Sequence, residues 1–318
     1  LPAVYGLYCS ILPVLIYGFV TSSPQFVFGV DATPAALVGG TLATLGIVSG
    51  SEEAKAVVPA ITLVAALWLL LFFFIKAGRI VNYISTPVMG GFISGIGVTI
   101  ILMQAAKLFG GNAGTGEAIQ LVMHIAGEFG SFNLLSAVLG VGTVVIILVA
   151  KKFIPKFPMS VLLMVLGALA TAIFHIDRFG VKLLPHVDKG LPGFSLPDMS
   201  VVLKNPSEII LLGLSVAGVV MAQTLLATNN YANKYGYKVS NNREILAYAA
   251  ANAASAVIGG CPLNGSVSRT GIADQFGCKS QFMSITASLT MLLIVLFGTP
   301  VLEYLPVPIL TGIVVAAL

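Results

Sequence analysis

The stretch Phe26-Val-Phe-Gly-Val-Asp-Ala-Thr-Pro-Ala-Ala-Leu-Val-Gly-Gly40 places one carboxylate, Asp31, in an apolar segment that is broken by Gly29 and Pro34. The hydrophobic run that follows is unusually short. A second short run lies far along the chain, introduced by Ile258-Gly-Gly-Cys-Pro-Leu-Asn-Gly-Ser266. Each is preceded by an extended lead-in marked with glycine and proline, so each predicts a helix that starts where a full span would already be under way.

Composition defines the surroundings of both runs. The chain of 318 residues is 57% hydrophobic and only 9% charged, and its mean hydropathy is +1.00. These values belong to an integral membrane protein rather than a soluble domain. Apolar runs of about 20 residues recur along the whole length, each enough to cross a hydrocarbon core of roughly 30 Å as a helix. We read spans over 3–21, 30–46, 57–75, 84–108, 132–150, 158–174, 207–228, 244–259, 264–275, 282–298 and 304–318, which makes the fold an all-α polytopic bundle. The net charge of +4 does not indicate nucleic acid, because nearly all Lys and Arg fall between spans. Cys9, Cys261 and Cys278 have no metal-ligand spacing and read as packing residues. His124, His175 and His186 fall in expected loops.

Charge also orients the bundle. Lys76 and Arg79 lie in one connection, Lys151, Lys152 and Lys156 in another, and Lys234, Lys238 and Arg243 in a third. The 110–131 connection carries Glu117 and Glu128 and no Lys or Arg. The positive-inside rule sets the three basic connections in the cytoplasm, and alternation puts 175–206 outside. The opening Leu1-Pro-Ala-Val-Tyr-Gly-Leu-Tyr8 and the apolar run at Leu318 predict further spans at either end, and no soluble domain is expected within these residues.

The two short segments carry the functional reading. A helix that begins in mid-membrane leaves its first amide N–H groups unpaired, and lipid cannot satisfy them. Its positive end favours an anion. Paired interrupted segments are the sequence mark of the central site of a transporter with inverted repeats. Gly265-Ser-Val-Ser-Arg-Thr270 adds Ser266, Ser268, Thr270 and Arg269 at the start of the second segment. Arg269 is the one Lys or Arg that we place in the membrane interior, where a guanidinium costs at least a few kcal/mol. It faces an anion, or it locks the bundle by pairing with a carboxylate or with orphan carbonyls. Asp31 has three readings. It caps the first half helix ahead of Ala32, Thr33 and Pro34, it pairs with Arg269, or it accepts a coupling proton or sodium ion. Gln223, Thr224 and Thr228 share a helix face that either lines the site or packs against a neighbour.

These residues carry a resemblance to the membrane domain of the sulfate permease (SulP) family, over essentially the whole chain. Leu1-Pro-Ala-Val-Tyr-Gly-Leu-Tyr8 is similar to the family's Pro-x-Tyr-Gly-Leu-Tyr segment. Tyr83-Ile-Ser-Thr-Pro-Val-Met-Gly-Gly-Phe-Ile-Ser-Gly95 resembles a family helix, and Gly190-Leu-Pro-Gly-Phe-Ser-Leu-Pro197 an external loop. Asn242-Arg-Glu-Ile-Leu-Ala247, running on to Gly265-Ser-Val-Ser-Arg-Thr270 and Gly277, resembles the family's Asn-x-Glu-Leu helix and its Gly-Ser-x-Ser-Arg-Thr half helix.

The resemblance implies a seven-plus-seven inverted repeat, with half helices at spans three and ten and an elevator-like motion of a core against a gate. Core elements are expected over about 1–108 and 207–298, and gate elements over about 132–174 and 304–318. The first span, the last spans and the STAS domain are expected to be missing from 1–318. The family's anion site maps onto Asp31 to Ala35, with Ala32 and Thr33, and onto Ser266 to Thr270. Many relatives have a Gly-Pro lead-in where this chain has Gly29-Val-Asp-Ala32, and an acidic residue on span eight where Met221-Ala-Gln-Thr-Leu-Leu-Ala-Thr228 has Gln223.

The expected activity is secondary transport of a small anion (sulfate, bicarbonate, chloride or a dicarboxylate), with Asp31 and Thr228 in coupling or structural roles. The alternatives are a nucleobase-type symporter of the same fold and an uncoupled, channel-like anion protein. An intramembrane enzyme would need a nucleophile with its base, or a metal cluster, and neither is visible. No cofactor is expected beyond a coupling proton or sodium ion. The partners are the anion, the bilayer (a bacterial inner membrane) and a second copy in a homodimer, with no nucleic acid.

Overall fold

The computed structural model describes every residue except Pro2, Ser49, 80–85, 115–117, 155–156, 187–189, Pro192, Ser195 and Leu318. Tyr83, Glu117 and Lys156, all used in the sequence reading, lie outside the described residues.

Helices dominate. The run read over 3–21 is two pieces, α1 (Ala3–Cys9) and α2 (Leu12–Val20), with Pro13 in the first turn of the second. A three-residue strand β1 (Phe28–Val30) leads into the half helix α3 (Ala32–Thr44). Then come α4 (Glu52–Phe74), α5 (Thr86–Leu108), α6 (Ala118–Gly127), α7 (Leu134–Phe153), α8 (Met159–Phe174), the short α9 (Ser200–Lys204), α10 (Pro206–Tyr235) and α11 (Asn241–Val257). Strand β2 (Leu263–Gly265) leads into the second half helix, α12 (Val267–Gln275). The chain ends in α13 (Phe282–Leu293), a π-helical turn over Ile294–Gly298, α14 (Thr299–Leu302) and α15 (Val307–Ala317). Among the described residues α4, α7, α10 and the run Phe282–Leu302 are each long and apolar enough to cross a membrane.

Three boundaries differ from the sequence reading. Helix α4 begins at Glu52 rather than 57, because Ser51 accepts from Ala54 N at 3.1 Å and the acidic pair Glu52 and Glu53 suits a first turn. Helix α10 continues past 228 to Tyr235, ending where Gly236 takes the left-handed conformation (φ 70°). The 110–131 connection contains α6, so His124 lies on a helix and not in a loop. With ten residues α6 is too short to span, and it shows only Leu121 to the interior while Ile119, Val122 and Met123 stay exposed.

The chain divides into two compact units, Leu1–Ile93 with Gly190–Leu296, and Ser94–Lys189 with Phe297–Leu318. In the first, α4 is the central helix and packs against α10 and α11, while α11 and α13 both pack on α2. Apolar burial on α4 runs from Ala54 to Leu69, which is why this span is apolar nearly all round. In the second unit α15 packs against α7 and α8. A Cβ at Gly312 would meet Gly140 O at 2.7 Å, so α7 and α15 meet backbone to backbone, as small residues allow in membranes.

Candidate functional site

The site elements all belong to the first unit. Strands β1 and β2 pair antiparallel with Phe28 opposite Gly265, Gly29 opposite Asn264 and Val30 opposite Leu263. Each strand feeds the N-terminus of a half helix, so the pairing sets the starts of α3 and α12 at opposite ends of one short ribbon, pointing away from each other. Three residues at ~3.3 Å each make the ribbon ~7–10 Å long. It also solves the backbone problem of an irregular lead-in at membrane depth, because each strand supplies the other's hydrogen bonds.

Side chains fasten the ribbon to the helices behind it. Thr224 Oγ1 donates to Asn264 Oδ1 (2.6 Å) and accepts from Gly265 N (3.0 Å), and Asn264 Nδ2 donates to Gln223 Oε1 (3.0 Å). Asn252 accepts from Leu263 N at 2.8 Å and donates to Leu263 O at 3.3 Å. Thr62 donates to Gly260 O and Ser255 to Cys261 O. From the other side, Phe28 is stacked between Tyr17 (4.7 Å) and Tyr248 (5.2 Å, planes 4° apart). A Cβ at Gly265 would lie 2.4 Å from both Phe26 Cε1 and Thr224 Cγ2. Only glycine leaves room there.

The half-helix ends are finished differently. Asp31 is the N-cap of α3 and accepts from Thr33 N at 3.4 Å. Ser266 is the N-cap of α12 and accepts from Arg269 N at 3.5 Å. Ser266 N donates to Val27 O (2.9 Å), while Thr270 Oγ1 donates to Ser266 O (2.7 Å) and accepts from Val27 N (3.0 Å). Thr270 therefore ties the two lead-ins together, with its one hydroxyl proton already used. Arg269 folds back over the ribbon. One terminal nitrogen donates to Val30 O at 2.5 Å, and a Cβ added at Gly29 would touch the other at 3.4 Å. The guanidinium thus lies along β1 and reaches toward the start of α3.

Of the residues singled out from sequence, Asp31, Ala32, Thr33, Ser266, Arg269 and Thr270 are gathered at the ribbon. The side chain of Ser268 lies outside the described residues. Gln223 sits one layer behind, holding Asn264. Thr228 is fully buried and donates to Thr224 O within its own helix.

Sequence reasoning missed the fastener Asn264 and gave Glu244 no role, and of the two readings it left open for Thr224 the structure shows the packing one. Glu244 is fully buried near the start of α11. It accepts from Thr21 Oγ1 (2.8 Å), Ser22 N (2.5 Å), Ser22 Oγ (2.6 Å), Ser23 N (3.1 Å) and Tyr17 OH (3.3 Å). It pins the turn from which β1 departs. Nearby, Tyr237 OH lies 3.4 Å from Ser23 Oγ, and burial pushes its phenol above the ordinary value. At the far end of α12, Asp274 pairs with Lys234 at 2.9 Å and accepts from Tyr235 OH. Among the described residues no cluster of His, Cys, Asp or Glu could hold a metal.

A family model described as the sulfate permease family matches residues 1–318. The chain belongs to that family. Among curated sulfate permease relatives, the "Probable sulfate transporter" of Mycobacterium tuberculosis is 26% identical over 318 residues, covering 100% of this chain and 56% of that protein. Sulfate transporter 3.1 of Arabidopsis thaliana is 25% identical, covering 100% and 50%. The chain thus spans about half the length of the curated relatives it matches. Two solved structures share the fold. Murine Slc26a9, an anion transporter captured inward-facing, has a TM-score of 0.89 at 22% identity, over 100% of this chain and 56% of its own. The transmembrane domain of the cyanobacterial bicarbonate transporter BicA has a TM-score of 0.81 at 19% identity, over 99% and 80%. The expectation of a polytopic helical transporter fold is met, and this chain is a membrane protein with several spanning helices.

Proposed function

We propose that the protein is a secondary transporter of a small anion, held at the ribbon by the α12 N-terminus and Arg269. The single observation that carries the reading is Arg269. It is a guanidinium placed across paired half-helix starts, with one N–H on Val30 O and, among the described residues, no carboxylate within 4 Å. Family membership and the names of the relatives support anions such as sulfate or bicarbonate. Transport follows alternating access, the unit that holds the ribbon acting as the moving core and the other unit as the gate. Asp31 acts as a cap, which its contact with Thr33 N supports, and coupling to a proton or sodium ion is the secondary role.

Uptake into proteoliposomes tests this. Sulfate, bicarbonate, chloride and fumarate would be offered with and without an inward proton or sodium gradient, beside Arg269→Ala. Saturable uptake of one of these anions by the parent protein, reduced at least about tenfold in a folded Arg269→Ala variant, is expected, a loss of the size that one charge-assisted contact supplies. Unchanged uptake by that variant removes Arg269 from the site.

A further inference from the structure

Helix α1 meets the turn before β2 through two side chains one helical turn apart. Tyr5 and Cys9 stand at i and i+4, on one face of α1, and each lies against a glycine. A Cβ at Gly259 would meet Tyr5 Cε1 at 2.9 Å, and one at Gly260 would overlap Cys9 Sγ. The next residue along the turn is Cys261, and the thiols of Cys9 and Cys261 are in hydrogen-bonding contact. Counting protons fixes the direction of each bond. Ser255 Oγ spends its one proton on Cys261 O at 2.7 Å, so its 3.2 Å contact with Cys9 Sγ is donated by the thiol. With the Cys9 proton committed to Ser255, the bond between the two sulfurs is donated by Cys261. A lone pair of the Cys9 sulfur is therefore aimed at Cys261.

The two sulfurs differ in access, since Cys9 is fully buried and Cys261 is partly exposed. Helix α11 begins beside the basic connection that carries Lys234, Lys238 and Arg243, which the positive-inside rule keeps in the cytoplasm. Its 17 residues carry the chain ~25 Å away, so Cys261 stands toward the opposite face, where thiols are not kept reduced. From the contact and the difference in access we infer that Cys9 and Cys261 are a redox pair that closes to a disulfide and staples α1 to the turn entering β2. The oxidant is a hydroperoxide, which reaches the exposed sulfur first. The Cys261 sulfur attacks the terminal peroxide oxygen and the O–O bond breaks; Cys261 becomes a sulfenic acid, and the alkoxide leaves as an alcohol with the thiol proton. The Cys9 sulfur then attacks the sulfenic sulfur, the S–O bond breaks, and hydroxide leaves as water with the Cys9 proton. Two thiols lose two electrons, and the peroxide is reduced to alcohol and water. This inference does not depend on the anion reading of Arg269.

The protein in lipid nanodiscs tests it without any need for transport. It would be treated with cumene hydroperoxide or kept reduced, then denatured, alkylated with N-ethylmaleimide and mapped by peptide mass. Joint loss of alkylation at Cys9 and Cys261 is expected, with a linked peptide pair that dithiothreitol separates, while the third free thiol, Cys278, stays alkylatable. Native hydrogen exchange reads the staple. Amides over Gly259 to Leu263 should exchange at least about fivefold more slowly after oxidation and recover on reduction. In Cys9→Ser the Cys261 sulfenic acid has no resolving thiol, so dimedone should trap it and exchange should not slow. Alkylation of both cysteines unchanged by peroxide overturns the inference. So does oxidation of either one to a sulfinic acid without the linked pair, a link from either to Cys278, or a linked pair with exchange unchanged.

Discussion

Glu244 should be the costliest polar side chain to remove from the unit that carries the site. Its carboxylate is fully buried and takes hydrogen bonds from Thr21, Ser22, Ser23 and Tyr17. In Glu244→Ala the hydroxyls can turn elsewhere, and Ser23 N keeps Thr21 Oγ1 at 3.0 Å. Ser22 N keeps nothing. One orphaned amide costs ~1–3 kcal/mol, the lost charge-assisted bonds add ~1.5–3 kcal/mol, and a small void remains, so the sum is about 4 kcal/mol. Glu244→Gln presents one carbonyl oxygen to Ser22 and Ser23, turns its amide toward Tyr17 and Thr21, and escapes the desolvation of a buried charge. That change should cost about 1–2 kcal/mol. Equilibrium unfolding in mixed micelles separates the two. If Gln proves as damaging as Ala, the negative charge itself is required and the hydrogen-bond account is wrong. If both cost under about 1 kcal/mol, water replaces the carboxylate and the turn is not pinned by it.

Two further substitutions probe the ribbon. Gly265→Ala drives a methyl into Phe26 and Thr224 at 2.4 Å and should cost about 3 kcal/mol; Thr224→Ser in the same chain, by deleting one of the two clashing carbons, should recover part of it, measured by the same unfolding titration. Asn252→Leu removes the acceptor of the buried Leu263 N–H and should cost about 2 kcal/mol, with faster hydrogen exchange at Leu263 as the local signature.

How much was legible follows from what local sequence can encode. Gly29, Pro34, Gly259, Gly260 and Pro262 interrupt apolar runs, so the two half helices could be read directly. Arg269 stood out because a guanidinium in an apolar run has few bland explanations. The ribbon could not be read. Phe28–Val30 and Leu263–Gly265 are three residues each, lack a connecting turn and pair across most of the chain, so no periodicity announces them. For Gln223 and Thr224 lining and packing both stayed open, because a polar helix face is the same signal whether it meets a ligand or, as here, Asn264. Glu244, four residues beyond the cap Ser240, stood out only as part of the Asn242-Arg-Glu-Ile-Leu-Ala247 motif. Its partners come from another helix and its following turn, and sequence spacing does not carry that information.

The two half helices also end in opposite charge states, and this gives Asp31 a measurable consequence. A helix N-terminus behaves as roughly half a positive charge. On α12 that end is capped by a neutral hydroxyl and lies beside Arg269, whereas on α3 it is covered by the Asp31 carboxylate. The positive potential is therefore concentrated at α12, and Asp31 opposes it from the other end of the ribbon, ~7–10 Å away. Asp31→Asn retains a good cap, since Asn and Asp are near-equal at this position, and should leave stability within about 0.5 kcal/mol. It removes one negative charge, worth about 2 kcal/mol at that distance with an effective dielectric near 20, so the Kd of an anion at the α12 end of the ribbon should fall roughly thirtyfold. Anion binding to the purified protein by calorimetry measures this, together with gradient dependence of uptake. Unchanged affinity with loss of gradient dependence would mean that the Asp31 carboxylate is already neutralised by a bound cation in the working protein, and its part in the site is then to carry that cation rather than to cap α3.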